Sequence, residues 1–106
     1  MVEDRGALLR LEQTVAYQDG AIVSRKLAAS AGGNVSAFAF DAGEELSEHS
    51  TPHTALLQVL DGRAQVRVAG VYHTVAAGEA IVLPPNQPHA VRAEVRFKML
   101  LTMLKA

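Results

Sequence analysis

The feature that most constrains the fold is a series of short apolar segments separated by turn-forming residues every several positions. Three of these turns are Asp61–Gly62, Ala69–Gly70 and Ala77–Gly78, and Asp-Gly is a typical hairpin dipeptide. Between the first two turns, residues 63–68 alternate between apolar and polar side chains, as a half-buried strand does. With about eight such segments and no convincing helix, the sequence predicts an all-β sandwich or barrel.

The sequence predicts one domain over residues 1–106, because a length of 106 residues is close to the commonest domain size. Residues 1 to about 20 are predicted as an N-terminal arm, with either one short helical turn or a segment lying on a neighbour. The barrel core is predicted over about 35–104. Residues 44–54 are polar and contain Pro52, so they are predicted as a loop or a broken strand entry. The predicted strands are 21–27, 35–40, 55–60, 63–68, 71–75, 80–83, 89–93 and 96–104.

The composition excludes several classes of function. The chain has no cysteine, which excludes disulfides, thiolate metal ligands and a cysteine nucleophile. Its formal net charge is −1, so no basic surplus is present to neutralise a nucleic acid. The charged N-terminus does not resemble a signal peptide, and no segment approaches the roughly 20 apolar residues that cross a bilayer. We therefore expect a soluble cytoplasmic protein with no nucleic-acid or membrane partner.

The last predicted strand is apolar on both faces. Phe97, Met99, Leu101 and Met103 share one face, whereas Leu100 and Leu104 lie beside Lys98 and Thr102 on the other. A strand that is apolar on both faces needs a covering on each side. In a chain of this length, we expect the second covering to be another subunit, and hence a homodimer.

Histidines provide the candidate site. His89 shares strand parity with Val91 and Ala93, so it is predicted to point inward, where its ring nitrogens need a partner. It is then either a hydrogen-bonded core histidine or part of a site. His49 and His53 share parity with an apolar strand downstream, although Pro52 can shift that count by one. The alternative for both is a solvated loop residue. The residues predicted to line a pocket beside the histidines are Thr51, Ala55, Leu57, Val59 and Val91.

Four further polar positions complete the set of candidates. Glu48 belongs to a solvated acidic loop, with the alternative that its carboxylate orients His49. Gln58 has the parity opposite to the pocket and is predicted at a sheet or subunit interface, with the alternative of an amide ligand if the strand bulges. His73 is predicted at an exposed or edge position. Asn86 follows two prolines and is predicted to adopt a left-handed conformation, which asparagine tolerates.

The spacing of these residues resembles the cupin superfamily. Gly43, His49 and Gly62 fall on the first cupin motif, and Gly78, Pro84 and His89 fall on the second. The two motifs with the hairpins between them span roughly residues 43–93. The resemblance implies a single-domain, RmlC-like jelly-roll β-barrel (a double-stranded β-helix) of the kind found in small bacterial cupins, many of which form dimers.

The resemblance also implies a divalent metal inside the barrel, held by three histidines and a glutamate. The chain departs from that set, because Thr51 stands at the second histidine position and Ala55 at the glutamate position. His49 and His89 remain, and His53 is the candidate substitute for the third ligand. The implied metals are Zn, Fe, Mn or Ni.

Two functions follow from this resemblance. One is a metal-dependent enzyme of the dioxygenase, isomerase or lyase type that acts on a small molecule through His49 and His89. The other is a metal-poor cupin that binds a small ligand as a sensor or binding module. The sequence assigns no catalytic residue and does not identify the substrate.

Overall fold

The computed structural model describes residues 6–105, and these fold into nine strands and one 3₁₀ turn. The 3₁₀ turn covers Leu11–Gln13. The strands are β1 (Ile22–Ser30), β2 (Gly33–Phe40), β3 (Glu45–His49), β4 (Thr54–Asp61), β5 (Arg63–Val68), β6 (Val71–Ala76), β7 (Ala80–Leu83), β8 (His89–Arg92) and β9 (Phe97–Leu104).

The strands form two antiparallel sheets. The five-stranded sheet has the order β1-β2-β9-β4-β7, and the four-stranded sheet has the order β3-β8-β5-β6. Apart from the hairpins β1-β2 and β5-β6, consecutive strands lie in different sheets, so the chain closes into the jelly roll that the turn pattern and the resemblance predicted. The all-β prediction is confirmed.

The core lies between the two sheets. Phe40 of β2 stacks on Phe97 of β9, with ring centroids 4.4 Å apart and an interplanar angle of 18°. Small aliphatic side chains fill the rest, as the low aromatic content requires. The buried members of this main cluster are Phe40, Ala55, Leu57, Val59, Ala64, Val66, Val75, Leu83, Val91, Ala93, Phe97 and Met99.

A second apolar cluster lies on the outer side of the five-stranded sheet. Its buried members are Val15, Ala37, Ala39 and Leu100. Val15 comes from the segment after the 3₁₀ turn, so part of the second covering of β9 belongs to the same chain and not to another subunit. This corrects the expectation for the region around Leu100. Leu104, farther along the outer side of β9, stays 57% exposed.

One segment that was predicted as a loop or a broken strand entry contains a strand. Residues 45–49 lie within the predicted loop 44–54, yet they form β3 because β8 offers them a partner strand. Polar strands at the edge of a sheet lack the apolar alternation on which a sequence prediction depends.

The tight turn at Gly62 was predicted correctly and has a steric reason. Gly62 has a φ of 71°, and a Cβ at this position would lie 2.2 Å from the carbonyl oxygen of Arg96. Glycine is therefore required between β4 and β5. Among residues 6–105, no helix has the length and hydropathy needed to span a membrane.

Candidate functional site

Strands β3 and β8 bring His49 and His89 together. The two residues are register partners, and their Nε2 atoms lie 3.1 Å apart. The ring centroids are separated by 4.4 Å, with an interplanar angle of 72°. Two imidazoles that are 40 positions apart in sequence therefore present the same ring nitrogen to one point.

A β-bulge in β3 determines that His49 occupies this position. Glu45 pairs with Arg92 and Leu46 pairs with Val91, but the next pair is His49 with His89. In an unbroken antiparallel register, Glu48 would lie opposite His89. The extra residue in β3 shifts the register by one position, and a shift of one reverses the face to which each side chain points.

The two rings have different environments. His89 is only 5% exposed, whereas His49 is exposed. Burial lowers the pKa of His89, and the nearby charge of His49 lowers it further. His89 Nδ1 makes no well-formed hydrogen bond within residues 6–105, although the Gln87 backbone lies near enough to oppose the pKa shift. Burial and the neighbouring ring therefore both favour the neutral form of His89.

The backbone of the bulge orients the His49 ring. His49 Nδ1 lies 2.9 Å from the carbonyl oxygen of Ser47. A carbonyl only accepts, so Nδ1 carries the proton and donates it, and Nε2 of the neutral ring keeps its lone pair. For His49 Nε2 to accept in the metal-free pair, His89 must carry its proton on Nε2, and ligation of one cation by both Nε2 atoms would require that proton to leave Nε2. The lone pair of His49 Nε2, which a cation or a protonated acidic group would contact, thus points toward the His89 ring.

The spacing of the two nitrogens fits neighbouring ligands of one metal ion. Metal–nitrogen bonds of about 2.0–2.1 Å at angles of about 90–110° place two ligand nitrogens roughly 2.9–3.4 Å apart. The observed separation of 3.1 Å lies inside this interval. Neutral imidazole is also the protonation state that binds metals. The pair therefore fits the imidazole part of a metal site.

His53, the predicted third ligand, does not join the pair. Among residues 6–105, no three His, Cys, Asp or Glu side chains form a group that could hold a metal ion. Strand parity counted back from β4 predicted that His53 faces the site. Residues 52 and 53, however, form a bend before β4 and do not belong to the strand. The backbone N–H of His53 donates to Thr51 Oγ1 over 3.1 Å.

Thr51 connects two loops near the site. Its carbonyl accepts a hydrogen bond of 2.7 Å from the backbone N–H of Asn86 in the proline-rich loop. Asn86 has a φ of 62°, which confirms the predicted left-handed conformation. This contact joins the loop after His49 to the loop before His89.

The other predicted pocket residues point inward, as their parity indicated. Ala55, Leu57, Val59 and Val91 are each at most 3% exposed and belong to the main core cluster. They pack there together with larger side chains, including Met99. That they line a ligand pocket stays a prediction.

Glu48 and Gln58 both lie outside the barrel interior. Glu48 Oε1 is 3.2 Å from Arg67 Nη2, so its carboxylate is directed to an arginine and not to His49. Gln58 is half-buried in β4 and pairs in register with Ala80 and Leu100, on the face opposite to Leu57. An amide ligand role for Gln58 is not supported by this orientation.

Sequence reasoning missed Ser47 and Arg67. Ser47 matters through its backbone carbonyl, which side-chain chemistry does not reveal. Arg67 was placed only by the alternation of residues 63–68, and its partner Glu48 lies on a strand that had been predicted as loop. His73 is exposed on β6 at the edge of the four-stranded sheet, as predicted.

Comparisons with known proteins agree with this fold. A cupin domain model matches residues 37–103. A conserved protein of unknown function from Streptococcus pyogenes has 33% sequence identity and a TM-score of 0.89, with 94% of this chain and 88% of that chain covered. No curated protein matches the chain.

Two further solved structures are similar. A cupin 2 conserved barrel domain protein from Leptotrichia buccalis is 44% identical with a TM-score of 0.89, covering 92% of this chain and 47% of that one. A cupin superfamily protein from Desulfitobacterium hafniense is 26% identical with a TM-score of 0.88, covering 98% of this chain and 94% of that one.

Proposed function

Since the chain belongs to the cupin domain family, we propose that it binds a small molecule through one divalent cation held by His49 and His89. The single observation that carries this proposal is the 3.1 Å separation of the two Nε2 atoms. The candidate cations are Zn, Fe, Mn and Ni, which imidazole ligands suit.

The surrounding residues prepare the pair for this role. The Ser47 carbonyl holds the proton of His49 on Nδ1 and leaves Nε2 available. Burial lowers the pKa of His89 and so favours its neutral form, which is the form that can ligate a cation. The exposure of His49 lets a ligand approach from solvent. When bound, a divalent cation supplies Lewis-acid polarisation of a ligand oxygen.

A site with two protein ligands favours a ligand that itself chelates. Catalytic zinc sites usually have three protein ligands, and two leave more positions for water and for ligand oxygens. A small enolic or carboxylate-bearing compound with two neighbouring oxygens fits this requirement. Turnover of the dioxygenase, isomerase or lyase type is the catalytic form of the proposal.

A metal-poor binding or sensor module is the second candidate. The observation that favours it is the absence of a three-residue ligand group among residues 6–105, together with Thr51 and Ala55 at the other two motif positions. In this case, the pair of imidazoles recognises an acidic or polar group of the ligand directly.

Metal titration distinguishes the two candidates. Tag-free protein is stripped with a chelator and titrated calorimetrically with Zn²⁺, Mn²⁺, Ni²⁺ and, without oxygen, Fe²⁺. We expect one cation per chain, with binding lost in His89→Ala and retained in His73→Ala, which removes an exposed histidine elsewhere. Failure of all four cations to bind overturns the first candidate and leaves the second.

A further inference from the structure

The bulge in β3 decides which side chain meets His89. Between the paired residues Leu46 and His49, β3 contributes two residues, whereas β8 contributes only Ala90. One residue fewer would turn Glu48 inward and His49 outward. The histidine pair therefore depends on the bulge keeping its position, and whatever holds Glu48 outside also holds His49 inside.

Arg67 of β5 contacts Glu48 from the outer face of the four-stranded sheet. Arg67 is the register partner of Ala90, so the side chain directly opposite it on β8 is a methyl group. Beyond that methyl group, its Nη2 lies 3.2 Å from Glu48 Oε1 on β3. The small side chain of Ala90 gives the arginine a clear path across the intervening strand.

Tyr72 of β6 supports Arg67 on the opposite side. The Arg67 Nη1 donates to the Tyr72 hydroxyl over 3.4 Å, and the guanidinium carbon lies 5.6 Å from the ring centroid. One side chain thus connects all four strands of the sheet. It is one-third exposed, and its Nε is buried without a hydrogen-bond partner within the described part of the chain.

The neighbouring row of the same face provides a contrast. Glu45 and Arg92 are direct register partners on the same two strands, β3 and β8. No ion pair within 4.0 Å joins them in residues 6–105, where the ion pairs are those of Arg67 and Arg96. Glu48 and Arg67, at the bulge, therefore form an ion pair, whereas Glu45 and Arg92, on the neighbouring row, do not.

We propose that Glu48 and Arg67 are positioning residues whose ion pair fixes the bulge, keeps Glu48 outside and holds His49 opposite His89. Ser47 lies between Leu46 and Glu48. The ion pair therefore also keeps the Ser47 carbonyl oxygen within hydrogen-bond distance of His49 Nδ1. The effect of this ion pair on cation binding rests on the proposed function, whereas its effect on the contact between the His49 and His89 rings does not.

Opposite charges make the test selective. If only the net charge near the site mattered, Glu48→Gln would weaken cation binding by removing a negative charge. Arg67→Gln would then strengthen cation binding by removing a positive charge. A positioning role predicts that both variants bind Zn²⁺ about tenfold more weakly, because each releases the bulge. Unchanged or tighter zinc binding by Arg67→Gln overturns the proposal.

Matched controls and a rescue complete the design. Glu45→Gln and Arg92→Gln make the same changes one row away and are expected to alter zinc binding less than twofold. The exchanged variant Glu48→Arg with Arg67→Glu keeps the net charge and is expected to recover most of the affinity. A double variant as weak as the single ones contradicts an ion-pair role.

A measurement without metal separates this inference from the proposed function. In the metal-free wild type, we expect a through-space NMR contact between the Hε1 protons of His49 and His89. Glu48→Gln and Arg67→Gln should weaken that contact, and the two controls should retain it. If the wild type shows the contact but binds no cation, the proposed function fails alone. If the variants keep the full contact, the positioning role fails.

Discussion

The two sheets have similar apolar inner faces but opposite outer faces. The outer face of the five-stranded sheet carries the cluster of Val15, Ala37, Ala39 and Leu100. The outer face of the four-stranded sheet carries polar contacts, such as the ion pair of Arg67 with Glu48. The difference indicates a division of roles, in which one outer face adds apolar burial and the other holds the strand that presents His49.

The N-terminal segment is attached to the five-stranded side by polar contacts as well. The Tyr17 hydroxyl donates to Asp61 Oδ2 over 2.5 Å, and burial, with that hydrogen bond, raises the pKa of Tyr17. Arg96, the residue before β9, donates to both Asp41 and Asp19. These contacts anchor residues before β1 at the edge of the apolar cluster.

The largest expected difference between the outer faces is in stability. Leu100 is 6% exposed, so Leu100→Ala should lower the free energy of unfolding by about 3 kcal/mol through lost burial and a cavity. Thr74 on the other face donates to Gln65 over 2.9 Å but is exposed, so Thr74→Ala should cost about 0.5 kcal/mol or less. Urea unfolding measures both, and equal losses would contradict the division of roles.

Self-association should also distinguish the two sides. We predict a homodimer at micromolar concentration, formed through the outer side of the five-stranded sheet, where Val82 remains 58% exposed. Val82→Asp should shift sedimentation toward the monomer. Val71→Asp is the control on the other sheet, because Val71 is similarly exposed, at 57%, on the edge strand β6. A wild-type monomer, or equal effects of the two substitutions, would refute this assignment.

A smaller, pH-dependent effect is expected at Arg96. Hydrogen bonding from Arg96 holds the pKa of Asp41 below its ordinary value of 3.8. A carboxyl group with a depressed folded pKa stabilises the protein above the unfolded pKa and loses that contribution as the pH falls through the folded pKa. Arg96→Gln should therefore lower the melting temperature at pH 7, and the difference from wild type should shrink below about pH 4. A difference that stays constant down to pH 2 would exclude this linkage.

The fold was predictable because its signals are local. Alternation in residues 63–68 and the requirement for glycine at position 62 are visible in the sequence and were confirmed. Strand β3 was missed because its residues are polar and it forms through pairing with β8. Local signals do not report such long-range pairing.

The site was predictable only in part for the same reason. Parity indicated that His89 points inward, and it does. For His49, counting back from β4 across Pro52 reached the inward face, but the structure places it there through a bulge in a separate strand. That count also included His53, which lies in the bend before β4 and belongs to no three-residue ligand group within residues 6–105. A bulge and its ion pair depend on strand register, which a single sequence does not contain.

Anomalous diffraction from crystals of the protein grown with Zn²⁺ tests the central claim most directly. We predict one strong zinc peak per chain at bonding distance from both His49 Nε2 and His89 Nε2, with water or a small ligand completing the shell. Crystals in which zinc binds elsewhere, while the two rings retain their mutual contact without a metal, would contradict the account.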